Sequence, residues 1–163
     1  MGHPHQESAG QEVRVLAIDP GAKTGVCLYD AQPPADLELS LIIPDGLMGF
    51  RDWWEGEGMW MDYDVLVVES FEAEEGSHGI DYEPIEIIGY LKALVLPIQW
   101  QRRNQRGKGK LISTAVLKKA GLYPARGELK EGHQVAALQH LLAFLVKQRH
   151  RPTIELLHPK ESP

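Results

Sequence analysis

Val13-Arg14-Val15-Leu16-Ala17-Ile18-Asp19-Pro20-Gly21-Ala22-Lys23-Thr24-Gly25-Val26-Cys27-Leu28-Tyr29 is the stretch that decides how this chain folds. An apolar run stops at a carboxylate, a Pro-Gly turn follows, and a second apolar run leaves from Thr24-Gly25. That is the pattern of a β-hairpin with an acid at its open end. Asp19 is then held rigidly at the lip of a sheet, where a hard cation or a phosphate group can reach it. Its plainer role is to open the turn with Pro20 and Gly21, a position Asp favours whatever the function.

Fifty residues on, Asp64-Val65-Leu66-Val67-Val68-Glu69 repeats the motif. A continuous apolar run of this length reads as a strand buried on both faces, and it too ends in an acid. If the two strands are parallel neighbours, Asp19 and Glu69 emerge at one edge of the sheet. Two carboxylates placed there repel each other unless a cation lies between them, so a divalent metal is the natural explanation. Otherwise Glu69 is a strand-terminal surface acid.

Around these two motifs, strands are expected at about 13–19, 24–30 and 37–43, forming an antiparallel meander. A helix carrying Leu47, Phe50, Trp53 and Trp54 follows, its aromatics read as core. The stretch from Phe71 to Tyr82 is too polar and Gly-rich for a packed element, and is read as a loop. An amphipathic helix is predicted over 83–95, with Pro84 in its first turn. A short strand is expected at Pro97-Ile98-Gln99-Trp100, a helix over 111–120 stopped by Gly121, and a last helix from His133 to about Arg149. His140, on that helix, is read as a packed or surface residue. Residues 1–12 and 151–163 are expected to be tails, leaving one domain over 13–150.

The length of 163 residues is that of a single domain with one real core, and 43% hydrophobic with 25% charged residues is a globular balance. No apolar run approaches the ~20 residues of a membrane span, and the polar start lacks a signal-peptide core, so a cytoplasmic protein with no membrane partner is expected. The lone Cys27 is expected to be a small core residue. A net charge of -6 argues mildly against nucleic acid. The distribution argues otherwise. Acids crowd Glu55 to Glu86, while Arg102, Arg103, Arg106, Lys108, Lys110, Lys118 and Lys119 form a basic belt. Such a division suits an enzyme that holds a polyanion and a cation together, or else a solvated charged face.

Three strands, a helix, a strand, a helix, a strand and two helices, with acids ending the first and fourth strands, is the layout of the ribonuclease H-like fold. This α/β fold is a central mixed five-stranded sheet, its first three strands antiparallel, flanked by helices. On Ala17-Ile18-Asp19-Pro20-Gly21-Ala22-Lys23-Thr24-Gly25, Val67-Val68-Glu69-Ser70-Phe71 and Gly132-His133-Gln134-Val135-Ala136-Ala137-Leu138-Gln139-His140, the chain resembles the RuvC-like Holliday junction resolvases, the short phage-type members in particular. The resemblance spans about residues 13 to 148.

It implies two divalent ions, Mg²⁺ or Mn²⁺, in a catalytic site where Asp19 bridges them, Glu69 holds one, and His133 is a further metal ligand from a helix position that members fill with Asp or His. Where the helix motif usually reads His-x-x-Asp, this chain reads His133-Gln134-Val135-Ala136. Ala136 has no ligand atom. Either the register differs, or Glu131 substitutes, or the chain is an inactivated form lacking one acid. The implied substrate is a four-way junction or other branched DNA, cut by a homodimer whose symmetry matches the junction. The helices at 83–95 and 111–121 are the expected interface. Lys23 and the basic belt, Arg102, Arg103, Arg106, Lys108, Lys110, Lys118 and Lys119, would contact phosphates without reading sequence. The implied setting is bacterial, or a phage protein in a bacterial host. The competing classes are a non-catalytic branched-DNA-binding module, an actin-like ATP-binding domain, which needs a second such domain to enclose its nucleotide, and a nuclease acting on RNA-DNA hybrids or flaps.

Overall fold

The computed structural model describes residues 13–71, 82–102, 112–123 and 132–159. β1 (Arg14–Asp19), β2 (Thr24–Asp30) and β3 (Asp36–Ile43) form the antiparallel meander. α1 (Gly46–Gly56) and a short 3₁₀ turn at Gly58–Trp60 lead into β4 (Val65–Ser70). α2 (Glu83–Ala93) then connects to β5 (Ile98–Arg102), and α3 (Thr114–Lys119), α4 (His133–Lys147) and α5 (Arg151–Leu157) follow. The sheet order is β3-β2-β1-β4-β5, with β4 parallel to β1 and β5 parallel to β4.

Strand alternation divides the interior into two apolar layers. Val15 and Ala17 of β1, Cys27 and Tyr29 of β2 and Val67 of β4 join Val135, Leu138, Leu141, Leu142 and Leu145 of α4 on one face. Leu16, Ile18, Val26, Leu28, Leu66 and Val68 join Phe50 and Trp54 of α1 and Ile87 and Leu91 of α2 on the other. The aromatics of α1 are therefore core, with Phe50 and Trp54 stacked at 6.0 Å between ring centroids. Asp19 continues the Val15-Ala17 series and Glu69 the Val65-Val67 series. Both carboxylates therefore belong to the α4 side of the sheet.

Cys27 is buried in that layer, as expected, and burial pushes its thiol up to about 12. A thiol needs to ionise before it attacks an alkylating reagent, and here that happens only several units above neutrality. Iodoacetamide is expected to leave the native protein unlabelled at pH 8 and to label it once urea unfolds it, as intact-mass spectrometry would show.

The C-terminal segment departs from the expected tail. Residues 151–157 form α5, with His150 as N-cap accepting a hydrogen bond from the backbone N–H of Thr153, Pro152 in the first turn, and Thr153 and Leu157 buried. α4 also ends earlier than predicted. Arg149 adopts a left-handed φ of 58°, and His150 and Arg149 donate their N–H groups to the carbonyls of Leu145 and Val146, closing the helix without the glycine that usually marks such a stop. Similarly α2 stops at Ala93, two residues early, because Val95 turns left-handed at φ 54°. Among the described residues no helix is long and apolar enough to cross a membrane.

Candidate metal centre

β1 and β4 run side by side in parallel with Ala17 opposite Val67 and Ile18 opposite Val68. The next residues on the two strands are Asp19 and Glu69. Both side chains are buried, at 3% and 7% exposure, beneath the N-terminal half of α4. That helix packs across β2, β1 and β4, and residues 133, 136 and 140 share one of its faces.

His133, in the first turn, reaches Asp19: its Nδ1 lies 2.7 Å from Asp19 Oδ2. Two turns later His140, wholly buried, places Nε2 at 3.1 Å from Glu69 Oε2. Its other nitrogen, Nδ1, donates to Gln101 Oε1 on β5 at 3.4 Å. One ligand atom from each of Asp19, Glu69 and His140 falls within 4.8 Å of the others. Two carboxylates and an imidazole so gathered are a donor set for one divalent ion, which makes the residues present a fit for a metal.

Glycine makes this approach possible. Gly25 pairs with Asp19 across the hairpin, and a Cβ there would stand 2.1 Å from the carbonyl oxygen of His133. The first turn of α4 thus rests directly on the β2 backbone. A Cβ on Gly21 would lie 3.3 Å from His133 Cε1, so the turn glycine frames the imidazole as well. The Thr24 hydroxyl, buried, donates to the Gly21 carbonyl and pins the turn.

Of the residues expected at the site, the structure sets Asp19 beside Glu69 and His133 against Asp19. Ala136 is buried on the helix face between the two histidines and offers no ligand atom. His140, anticipated as a packed or surface residue, is indeed packed, but against a site carboxylate. Its signal was its spacing, seven residues after His133 on one helix face. Lys23, in the β1–β2 turn, and Arg102, at the end of β5 opposite Ser70, are exposed at the same edge of the sheet. Lys118 and Lys119 lie on α3, which packs against α5. Lys118 Nζ sits 4.6 Å from the Tyr123 ring centroid. Arg103, Arg106, Lys108, Lys110 and Glu131 lie outside the described residues.

Two solved structures share this architecture. RuvC of Thermus thermophilus in complex with a Holliday junction substrate matches with a TM-score of 0.59 at 14% identity, over 84% of this chain and 97% of that one. A second Thermus thermophilus RuvC structure matches at 0.58, with the same identity and coverage. The fold is that of RuvC. No family model and no curated protein matches the sequence, so the RuvC likeness rests on the shape of the chain. It agrees with the ribonuclease H-like sheet expected from the two strand-ending acids.

Proposed function

We propose that this protein is a metal-dependent endonuclease of the RuvC type that cuts four-way or other branched DNA. The observation that carries the reading is the delivery of Asp19 and Glu69, side by side and buried, from parallel neighbouring strands to the underside of α4. The RuvC fold and the junction held by one of the matched RuvC structures support the substrate class.

Asp19 and Glu69 would hold Mg²⁺ or Mn²⁺, with His133 beside Asp19, and two ions per site is the number the RuvC resemblance implies. Bound there, the metal supplies charge for the scissile phosphate and lowers the proton affinity of an attacking water. His133 orients the Asp19 carboxylate through its 2.7 Å contact. Lys23 and Arg102, at the same edge, bind flanking phosphates and position the strand without selecting sequence. The remaining cations of the basic belt would extend that surface.

A four-way junction is two-fold symmetric and requires paired cuts, which a homodimer supplies. Exposed Tyr82, Ile85, Leu94 and Val95 at the two ends of α2 offer apolar surface for it. Ala136 favours a second reading, a branched-DNA-binding module without chemistry. Four-way, Y-shaped, duplex and RNA-DNA hybrid substrates, each incubated with Mg²⁺ and with Mn²⁺, separate the two. Cleavage of the branched DNAs at least about tenfold faster than the duplex is expected. Tight junction binding with no product in either metal would leave the binding module.

A further inference from the structure

We propose that His140 is itself a metal ligand, taking the place of the carboxylate that Ala136 lacks, and that its nitrogen gives the centre a preference for Mn²⁺ over Mg²⁺. The inference rests on the reading of Asp19 and Glu69 as metal ligands. Position 136 is the site-facing place on α4 one turn after His133, and alanine leaves it empty of donor atoms. The next residue on that face is His140.

Three features make its imidazole a ligand. Nε2 stands 3.1 Å from Glu69 Oε2, and adjacent ligand atoms around an octahedral ion with ~2.1 Å bonds are about 3 Å apart. Secondly, Gln101 Oε1 can only accept a hydrogen bond, so it fixes a proton on Nδ1 and leaves Nε2 as the atom turned towards the carboxylates. This is the outer partner that ligating histidines usually have, and Gln101 is itself 6% exposed on the rigid β5 strand. Thirdly, His140 is wholly buried, so its ring is held in one orientation by the surrounding core. Mg²⁺ prefers oxygen donors, whereas first-row transition ions accept imidazole readily. Replacing a carboxylate by His140 also removes one negative charge from the donor set, which weakens the hold on Mg²⁺ further.

The test is pulsed electron paramagnetic resonance of Mn²⁺ added to the full chain, with binding affinities measured in parallel by calorimetry. The wild-type protein and His133→Gln are both expected to show ¹⁴N modulation from a directly bound histidine, and the His133→Gln/His140→Gln double variant to lose it. Calorimetry should show Mn²⁺ affinity falling about tenfold or more in His140→Gln, with a smaller change for Mg²⁺. Labelling all histidines with ¹⁵N in His133→Gln must shift the modulation, a measurement that stands even if His140→Gln fails to fold. If Mn²⁺ binds in a manner abolished by Asp19→Asn yet shows no nitrogen coupling in His133→Gln, His140 is a core hydrogen-bonding residue and the metal centre stands without it. Coupling that survives in the His133→Gln/His140→Gln double variant overturns the inference in the same way. If Asp19→Asn leaves Mn²⁺ binding unchanged, the centre and this inference fall together.

Discussion

Asp19→Asn will lower the rate of branched-DNA cleavage by about a thousandfold while leaving the protein as stable as before, or more so, in metal-free buffer. The two halves of this expectation have one cause. Asp19 and Glu69 are buried carboxylates from adjacent strands, and without a cation they repel. An amide of the same shape keeps an oxygen for His133 and removes the repulsion, so the melting temperature holds or rises. The same change removes the charge that retains the metal, and the several kcal/mol of transition-state stabilisation the metal supplies correspond to about three orders of magnitude. Divalent cations, which stabilise only the form that binds them, should raise the melting temperature of the wild type and not of the variant. Calorimetric scans with and without Mn²⁺, beside a junction-cleavage assay, read all of this. A variant that cleaves within tenfold of wild type would remove Asp19 from the chemistry.

Gly25→Ala is the second large effect, and it acts through shape. The added methyl would stand 2.1 Å from the His133 carbonyl oxygen and 2.7 Å from the Gln134 nitrogen, both backbone atoms that cannot swing aside. The whole N-terminal half of α4 has to move. Overpacking of this kind costs about 3 kcal/mol or more, a fall in melting temperature on the order of 10 °C for a chain of this size. Cleavage by the protein that remains folded should fall as well, because His133 and His140 ride on the displaced helix. Gly89→Ala is the control. Nothing lies within 4 Å of a Cβ at that exposed position of α2, and alanine there should gain up to about 1 kcal/mol from helix propensity. Equal melting temperatures for Gly25→Ala and wild type would show that α4 does not rest on Gly25.

The frame of the molecule was legible because its strands are simple. β1 and β4 each end an apolar run on an acid, and the Pro20-Gly21 turn has little choice of partner, so the hairpin and its carboxylate follow from local pattern. His133 was legible through its motif. What escaped depended on tertiary geometry or on unusual helix ends. His140 looks like any core histidine until β4 is set parallel to β1 and α4 is laid across both, which brings Glu69 under its ring. α5 escaped because Arg149, rather than glycine, turns the chain left-handed, and because a histidine caps the new helix. Pro152 two residues after His150 was the available clue. The basic belt, clear in the sequence, lies mostly beyond the described residues, leaving Lys23 and Arg102 as the cations placed at the site edge.

The division of the interior by the sheet has a consequence for how such a protein can change over generations. Phe50, Trp54, Ile87 and Leu91 sit on the far side of β1 and β4 from Asp19, Glu69, His133 and His140. Substitutions there can reset heat tolerance, or remodel the outer faces of α1 and α2 to suit new companions. The chemistry, insulated by one thickness of backbone, stays as it was.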